Sequence, residues 1–417
     1  MSQSQVIVGG TLLDGTGADP VKGAMVVIEN GEIVFAGKES ARGLPRDAAR
    51  IDASGASILP GLMDVHVHIS LNAPADLVAE VVGRPLGQVA FEVAANLRQT
   101  VAAGVTTIRT VSDLAHLDIA ARDAIRKGIA IGPRIHPCGK GLTTTGGHGQ
   151  LLPCWLCQSH GELSEVVDGV DAIRRAVRLQ VQAGAAWIKL FQTGGVVDPE
   201  GRIDAEEFTP SEFAAAVETA HTAGLPVAVH AHNRAGILRS IAEGCRSIEH
   251  GMHFDEECAA AARAKGAYYV PTLTVMNRII RHGAQAGIPD YMIKNVRERL
   301  TKHHQYVKHA FDIGVGLACG TDAGSLLTPH GSAGREVAHF VDCGLSVPQA
   351  VSAATLVSAR MLKAEDKVGS LAGGKRGDAI VVEGDVMADV RRLEVAGNMR
   401  AVMVDGRVVA RAGHALS

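Results

Sequence analysis

Hydrophobic and polar positions change rhythm twice along the chain. Val6 to Leu13, Ala24 to Glu29 and Glu32 to Ala36 are short apolar runs separated by Gly15, Gly17 and an Asn30-Gly31 pair. That is the pattern of strands joined by tight turns. It returns near the other end in Ala379 to Glu383, Ala401 to Val404 and, beyond Asp405-Gly406, Arg407 to Ala412. Both ends therefore read as β-structure. The middle alternates short apolar runs with amphipathic helical patterns. The runs are Ile58 to Val65, Val105 to Arg109, Ile131 to Cys138, Ala185 to Phe191, Pro226 to His230, Ser247 to His250, Ala267 to Leu273 and Val315 to Cys319. Helical patterns such as Asp171 to Ala183, Ser211 to Ala223, Ala235 to Glu243 and Glu256 to Lys265 lie between them, each followed by glycine, a common helix stop. Eight strands alternating with helices predict an α/β chain folded as a parallel (β/α)8 TIM-type barrel. The expected division is a barrel over 59–365, with 1–58 and 366–417 pairing as one small β-sandwich. Met276 to Asp312 is longer than one crossover needs and predicts helices over the barrel mouth.

Composition narrows the picture. The 417 residues are 47% hydrophobic but only 3% aromatic, so aliphatic side chains must pack a large core. A formal charge of -3 argues for neither a nucleic-acid nor a membrane partner. No apolar run reaches transmembrane length, and MSQSQVIVGG lacks a signal-peptide pattern, so a cytoplasmic location is expected. Seven cysteines, an odd number scattered over a long chain, do not form a disulfide framework. Cys154 and Cys157 make a lone C-x-x-C, too little for a structural zinc site.

The chemistry gathers where such barrels place reactive groups, at the C-terminal ends of strands. The stretch LPGLMDVHVHI sets His66 and His68 two apart, on one face of a strand. A metal ion gives two adjacent buried imidazoles a reason to be there. The fourth strand carries Lys189 in AAWIKLF, the fifth His230 in VAVHAH, the sixth His250 in SIEHG and the eighth Asp322 in CGTDAG. The third is followed by GLTTTGGHG, with His148 in a glycine-rich loop. A lysine inside an apolar strand is costly to bury charged. Snorkelling to the strand end is one way out. Reaction with carbon dioxide is another, and makes a bidentate carbamate able to bridge two metals. Four histidines, a carbamate and an aspartate then complete a site for two zinc-like ions. His232 shares a strand face with His230, so either could ligate. His253, His303, His304 and His309 fall in or near helices and read as surface or packing residues. Asp198, Glu200 and Asp204, after strand four, read as a solvated acidic loop.

LPGLMDVHVH, WIKLFQTGG, VAVHAH, IEHG and GTDAG, in that order over nearly the whole chain, resemble the metal-dependent amidohydrolase superfamily. Within it they are most similar to the prolidase-like, imidazolonepropionase-related branch. That branch includes Xaa-Pro and Xaa-Arg/Lys dipeptidases and ochratoxin-type amide hydrolases. The resemblance implies two divalent ions per subunit, with zinc expected. His66, His68 and Asp322 would hold the more buried ion, His230 and His250 the other, and N-carboxylated Lys189 would bridge. TTTGGH resembles the substrate-contacting loop of the dipeptidases, which implies that His148 touches the substrate carbonyl or carboxylate. Dipeptidase relatives can carry a tyrosine where this chain has His232, which leaves His232 as a candidate substrate contact. By resemblance a homo-oligomer, up to an octamer, is expected.

The activity these features imply is hydrolysis of an amide in a dipeptide or N-acyl amino acid. A metal-bridging hydroxide attacks, Asp322 shuttles the proton and His148 steadies the oxyanion or places the substrate. A cyclic amide, imidazolone or lactone is the alternative substrate. A mononuclear aminohydrolase would want an acid shortly after His230, and His230-Ala231-His232-Asn233-Arg234 has none. A non-catalytic scaffold would not need the full ligand set.

Overall fold

The computed structural model describes residues 4–39, 48–152, 163–198 and 202–416. Cys154, Cys157 and Glu200 lie outside them.

The β-rich ends form one nine-stranded sheet. Ala56–Pro60 joins them, pairing parallel with Ser4–Leu12 and antiparallel with Ala379–Glu383. The hairpin turns fall where the sequence puts them. Asn30, Gly31, Asp405 and Gly406 all have left-handed backbones, with φ of 54, 85, 47 and 73°, as two-residue turns between twisted strands require. The sheet coils until the two tips meet. The Gly377 amide donates to the Gly31 carbonyl at 2.8 Å, and the Gly406 amide to the Gly377 carbonyl at 3.0 Å. Ile7, Val26, Ile28, Val381, Ala401 and Met403 pack in one buried cluster. The expected sandwich is thus a single sheet folded onto itself.

The run Ile58 to Val65, read from sequence as one strand, is two. Ala56–Pro60 belongs to the terminal sheet and Leu62–Val67 opens the barrel. Gly61 stands between them, where a Cβ would lie 2.1 Å from Thr106 Oγ1. Both halves are buried, so an unbroken apolar pattern hides the junction.

Leu62–Val67 pairs in parallel with Val105–Thr110, and that strand with Arg134–His136. Ile188–Phe191, Val227–Ala231, Ser247–His250, Tyr268–Val270 and Gly316–Leu317 follow in parallel order. Two seams close the ring. The Ala186 amide donates to the Pro137 carbonyl at 2.7 Å, and the Val65 amide to the Cys319 carbonyl at 2.8 Å. The glycine- and threonine-rich segment after the third strand, read as all loop, contains a further strand. Gly141–Thr143 resumes the pairing, with Leu142 opposite Leu190. Helices Val170–Ala183, Pro210–Thr222, Arg234–Ala242 and Glu256–Lys265 fill crossovers. The long segment before the eighth strand forms two helices, Leu273–Ala286 and Asp290–Asp312. No helix among the described residues is long and apolar enough to cross a membrane.

Candidate metal centre

Every site residue singled out in the sequence lines one cavity: His66, His68, His148, Lys189, His230, His232, His250 and Asp322. The tightest group is His66, His68 and Asp322, whose ligand atoms all lie within 4.8 Å of one another. Their hydrogen bonds decide which atoms face inward. His66 Nδ1 donates to Glu249 Oε2 at 2.7 Å, and His68 Nδ1 to the Ser112 carbonyl at 2.8 Å. Each Nε2 is therefore left as a lone pair, and these stand 3.7 and 3.2 Å from Asp322 Oδ1. Lone pairs converging on a carboxylate need a cation among them. Acceptors that fix the outer ring nitrogen are the usual support of a histidine ligand.

The electrostatics agree. Burial, partly offset by the Glu249 bond, lowers His66 to a pKa of about 4, so its imidazole is neutral. Burial would lower His68 too, but the Asp322 contact outweighs it and the pKa is raised. Asp322 is lowered: burial opposes this, and the His68 bond and the nearby Lys189 charge help to outweigh it.

His230 and His250 form the second half. Their rings are 4.7 Å apart, and His250 lies 4.6 Å from His66. Burial, then neighbouring imidazoles, drives both well below the usual histidine range. Both imidazoles are neutral. His230 Nε2 donates to the Gly194 carbonyl at 3.1 Å, which leaves Nδ1 free; His250 Nδ1 meets Thr272 Oγ1 at 2.7 Å, which leaves Nε2. The Lys189 amine is buried and has no hydrogen-bond partner among the described residues. It sits 4.9 Å over the Phe191 ring. Burial, against the pull of Glu249, lowers its pKa to about 8. The donor set and the orphaned amine fit a divalent-metal site.

His148 and His232 are placed differently. His148 stacks on His230 at 4.2 Å, and its Nδ1 lies 3.0 Å from Asp198 Oδ2. Burial would lower its pKa; the Asp198 charge overrides that and raises it. Asp198 thus departs from the solvated-loop expectation, because it is engaged by His148 and by the Gly195 amide at 2.6 Å. Asp204 does stay half-exposed, 3.4 Å from Arg299. His232 lines the cavity 4.7 Å from His230, with its Nδ1 unpartnered.

Four supporting residues were not found from sequence. Glu249 binds His66, lies 2.7 Å from Arg109 and accepts the Ser247 hydroxyl at 2.5 Å. Burial would raise its pKa, yet Arg109 and His66 bring it down to about 2. Ser112 and Thr272 hold the outer nitrogens of His68 and His250. His303, read as a surface or packing residue, is fully buried and donates Nε2–H to the His250 carbonyl at 2.9 Å. The position of Glu249 beside His250 in IEHG was the only signal available in the sequence.

The amidohydrolase family profile matches residues 57–409. The chain belongs to the amidohydrolase family. Like other amidohydrolases it is a hydrolytic enzyme, and its His66–His68–Asp322 group suits the divalent metals that the family uses. The ochratoxinase of Aspergillus niger is 29% identical over 407 residues, covering 93% of this chain and 82% of that protein. The imidazolonepropionase of Micrococcus luteus is 26% identical, covering 86% and 87%. A solved Xaa-Pro dipeptidase with methionine bound in its active site superposes with a TM-score of 0.86 at 31% identity, covering 97% and 99%.

Proposed function

We propose that this amidohydrolase is a binuclear enzyme that cleaves the amide of a dipeptide or an N-acyl amino acid. The observation that carries the reading is the buried Lys189 amine, without a hydrogen-bond partner among the described residues, in one cavity with two groups of buried imidazoles. As a free amine it satisfies nothing around it. Adding carbon dioxide to the uncharged amine gives a carbamate and releases one proton. The anion can then serve His66, His68 and Asp322 on one side and His230 and His250 on the other.

Two divalent ions, zinc by the character of these donors, would polarise the scissile carbonyl and acidify a water. The protein does the rest. Asp322, ionised and central, takes the proton released on attack and returns it to the departing nitrogen. His148, with its pKa raised by Asp198, donates to the substrate's carbonyl or carboxylate oxygen. His232, in the same cavity, is the second candidate contact. The dipeptidase and ochratoxinase relatives support this substrate class.

The test has two parts. Elemental analysis should find about two metals in the wild type and fewer in Lys189→Ala; one metal in both would remove the second ion from the scheme. Turnover should then be compared on dipeptides and N-acyl amino acids, free and C-terminally amidated, beside imidazolones and lactones. Faster cleavage of the free acids is expected. Turnover of the cyclic compounds alone would overturn the reading.

A further inference from the structure

We propose that the substrate carries a bulky apolar group, received by a dry wall built from Val275, Met276, Ile279 and Leu326. The inference rests on the amide-hydrolase reading and names the substrate class within it. Away from the histidines the cavity lining turns apolar, and these four side chains all face it while almost fully buried. Val275, Met276 and Ile279 come from one face of helix Leu273–Ala286. Behind them lies a second apolar layer, including Met252 and Ile293, in a cluster separate from the main barrel core.

Charge points the same way. Among the described residues, Lys189 is the only ammonium lining the cavity, and no guanidinium reaches it. Asp322 faces His66 and His68, and Asp198 is taken by His148 and the Gly195 amide. A charged substrate side chain set against these four residues would lie buried without a partner, which is costly. An apolar group instead leaves water for a matching surface. That is worth about fourfold in affinity for each buried methylene. Met276, unbranched and flexible, lets one wall accept different shapes.

The experiment uses the metal-loaded enzyme and two substrate series. One is N-acyl-glycine from acetyl to octanoyl. The other is acetyl-Xaa with Xaa as Ala, Leu, Phe, Lys and Glu. In at least one series kcat/KM should climb severalfold per added methylene, with the charged members slowest. Met276→Ser and Ile279→Asn should each cut the octanoyl-to-acetyl or Phe-to-Ala ratio about tenfold. Titration calorimetry supplies a readout that needs no turnover: octanoyl-glycine or acetyl-phenylalanine should bind at least about tenfold tighter than acetyl-glycine. Equal binding across both series, or fastest cleavage of a charged member, overturns the wall. If none of these amides turns over while apolar binding persists, the amide reading fails and the wall stands.

Discussion

His250 and Asp322 both carry positive φ, 67 and 62°. A non-glycine residue in that region costs on the order of 1–3 kcal/mol and persists only where its surroundings enforce it. For His250 the enforcing contacts are two hydrogen bonds: His303 Nε2–H bonds its carbonyl, and the Tyr269 hydroxyl bonds the next carbonyl, Gly251, at 2.9 Å. His303→Ala should therefore weaken metal binding about 10–100-fold, the usual effect of losing an outer support. His303→Gln, which keeps a donor, should recover most of it. Competition with a chelator measures both, and an unaffected alanine variant would deny His303 this role. Lys189 gives a pH prediction. Its pKa of about 8 leaves roughly half the amine uncharged at pH 8 and about one part in a hundred at pH 6. Metal reconstitution with bicarbonate should thus slow at least tenfold between those values; a flat profile would argue against carboxylation. The candidate ligands were legible because strand-end spacing announces them, and the fold gathers them in one cavity. Their supports were not. Glu249 lies 183 positions from His66 in sequence and Ser112 lies 44 from His68, and no local pattern encodes such pairings.

Helix Leu273–Ala286 shows the same division at the scale of an element. A helical addition over the mouth, within Met276 to Asp312, could be expected from the sequence. Its start could not, because the cap comes from another helix. Glu336, in Ala333–Asp342, accepts the amides of Leu273 and Thr274, each at 2.8 Å, and the Thr274 hydroxyl at 2.6 Å. Thr272, just before them, holds His250. One carboxyl group thus anchors both the apolar wall and the residue next to the one that holds His250. Burial, against those bonds, raises Glu336 to a pKa of about 8 from an ordinary 4.5. A carboxyl raised on folding contributes its stability fully below the unfolded value and loses it as pH rises through the folded one. The wild type should therefore lose stability relative to Glu336→Gln between pH 5 and 9. Urea unfolding of both at several pH values checks this, and a gap that widens in favour of the wild type would refute it. Gly61 is the opposite case. It divides one apolar run into two elements, and hydropathy carries no mark of the break.

At the scale of the molecule, alternation of strands and helices was enough for the barrel, and hairpin signals at both ends were enough for a shared β region. What escaped was continuity: the terminal strands make one sheet, tied to the barrel through Gly61 and through Arg134. Arg134 reaches Asp378 at 2.8 Å and Asp405 at 3.0 Å. Arg134→Ala would leave Asp378, nearly fully buried, without that partner. It should cost about 1–3 kcal/mol, the range for an unsatisfied buried polar group. A thermal melt unchanged from wild type would show that the tie carries no load.

The shared sheet also sets a timetable. Ala56–Pro60, a few residues ahead of His66 and His68, finds its antiparallel neighbour only at Ala379–Glu383. On a ribosome the two early histidines emerge about 310 residues before that neighbour. At roughly 5–20 residues per second this is a wait of about 15–60 s. Asp322 also arrives late, so the first candidate ligands made are among the last to be fixed in place. A nascent chain stopped at residue 378 should bind zinc much more weakly than one stopped after residue 411. Equal retention by the two would mean that the barrel can hold its ions before the sheet closes.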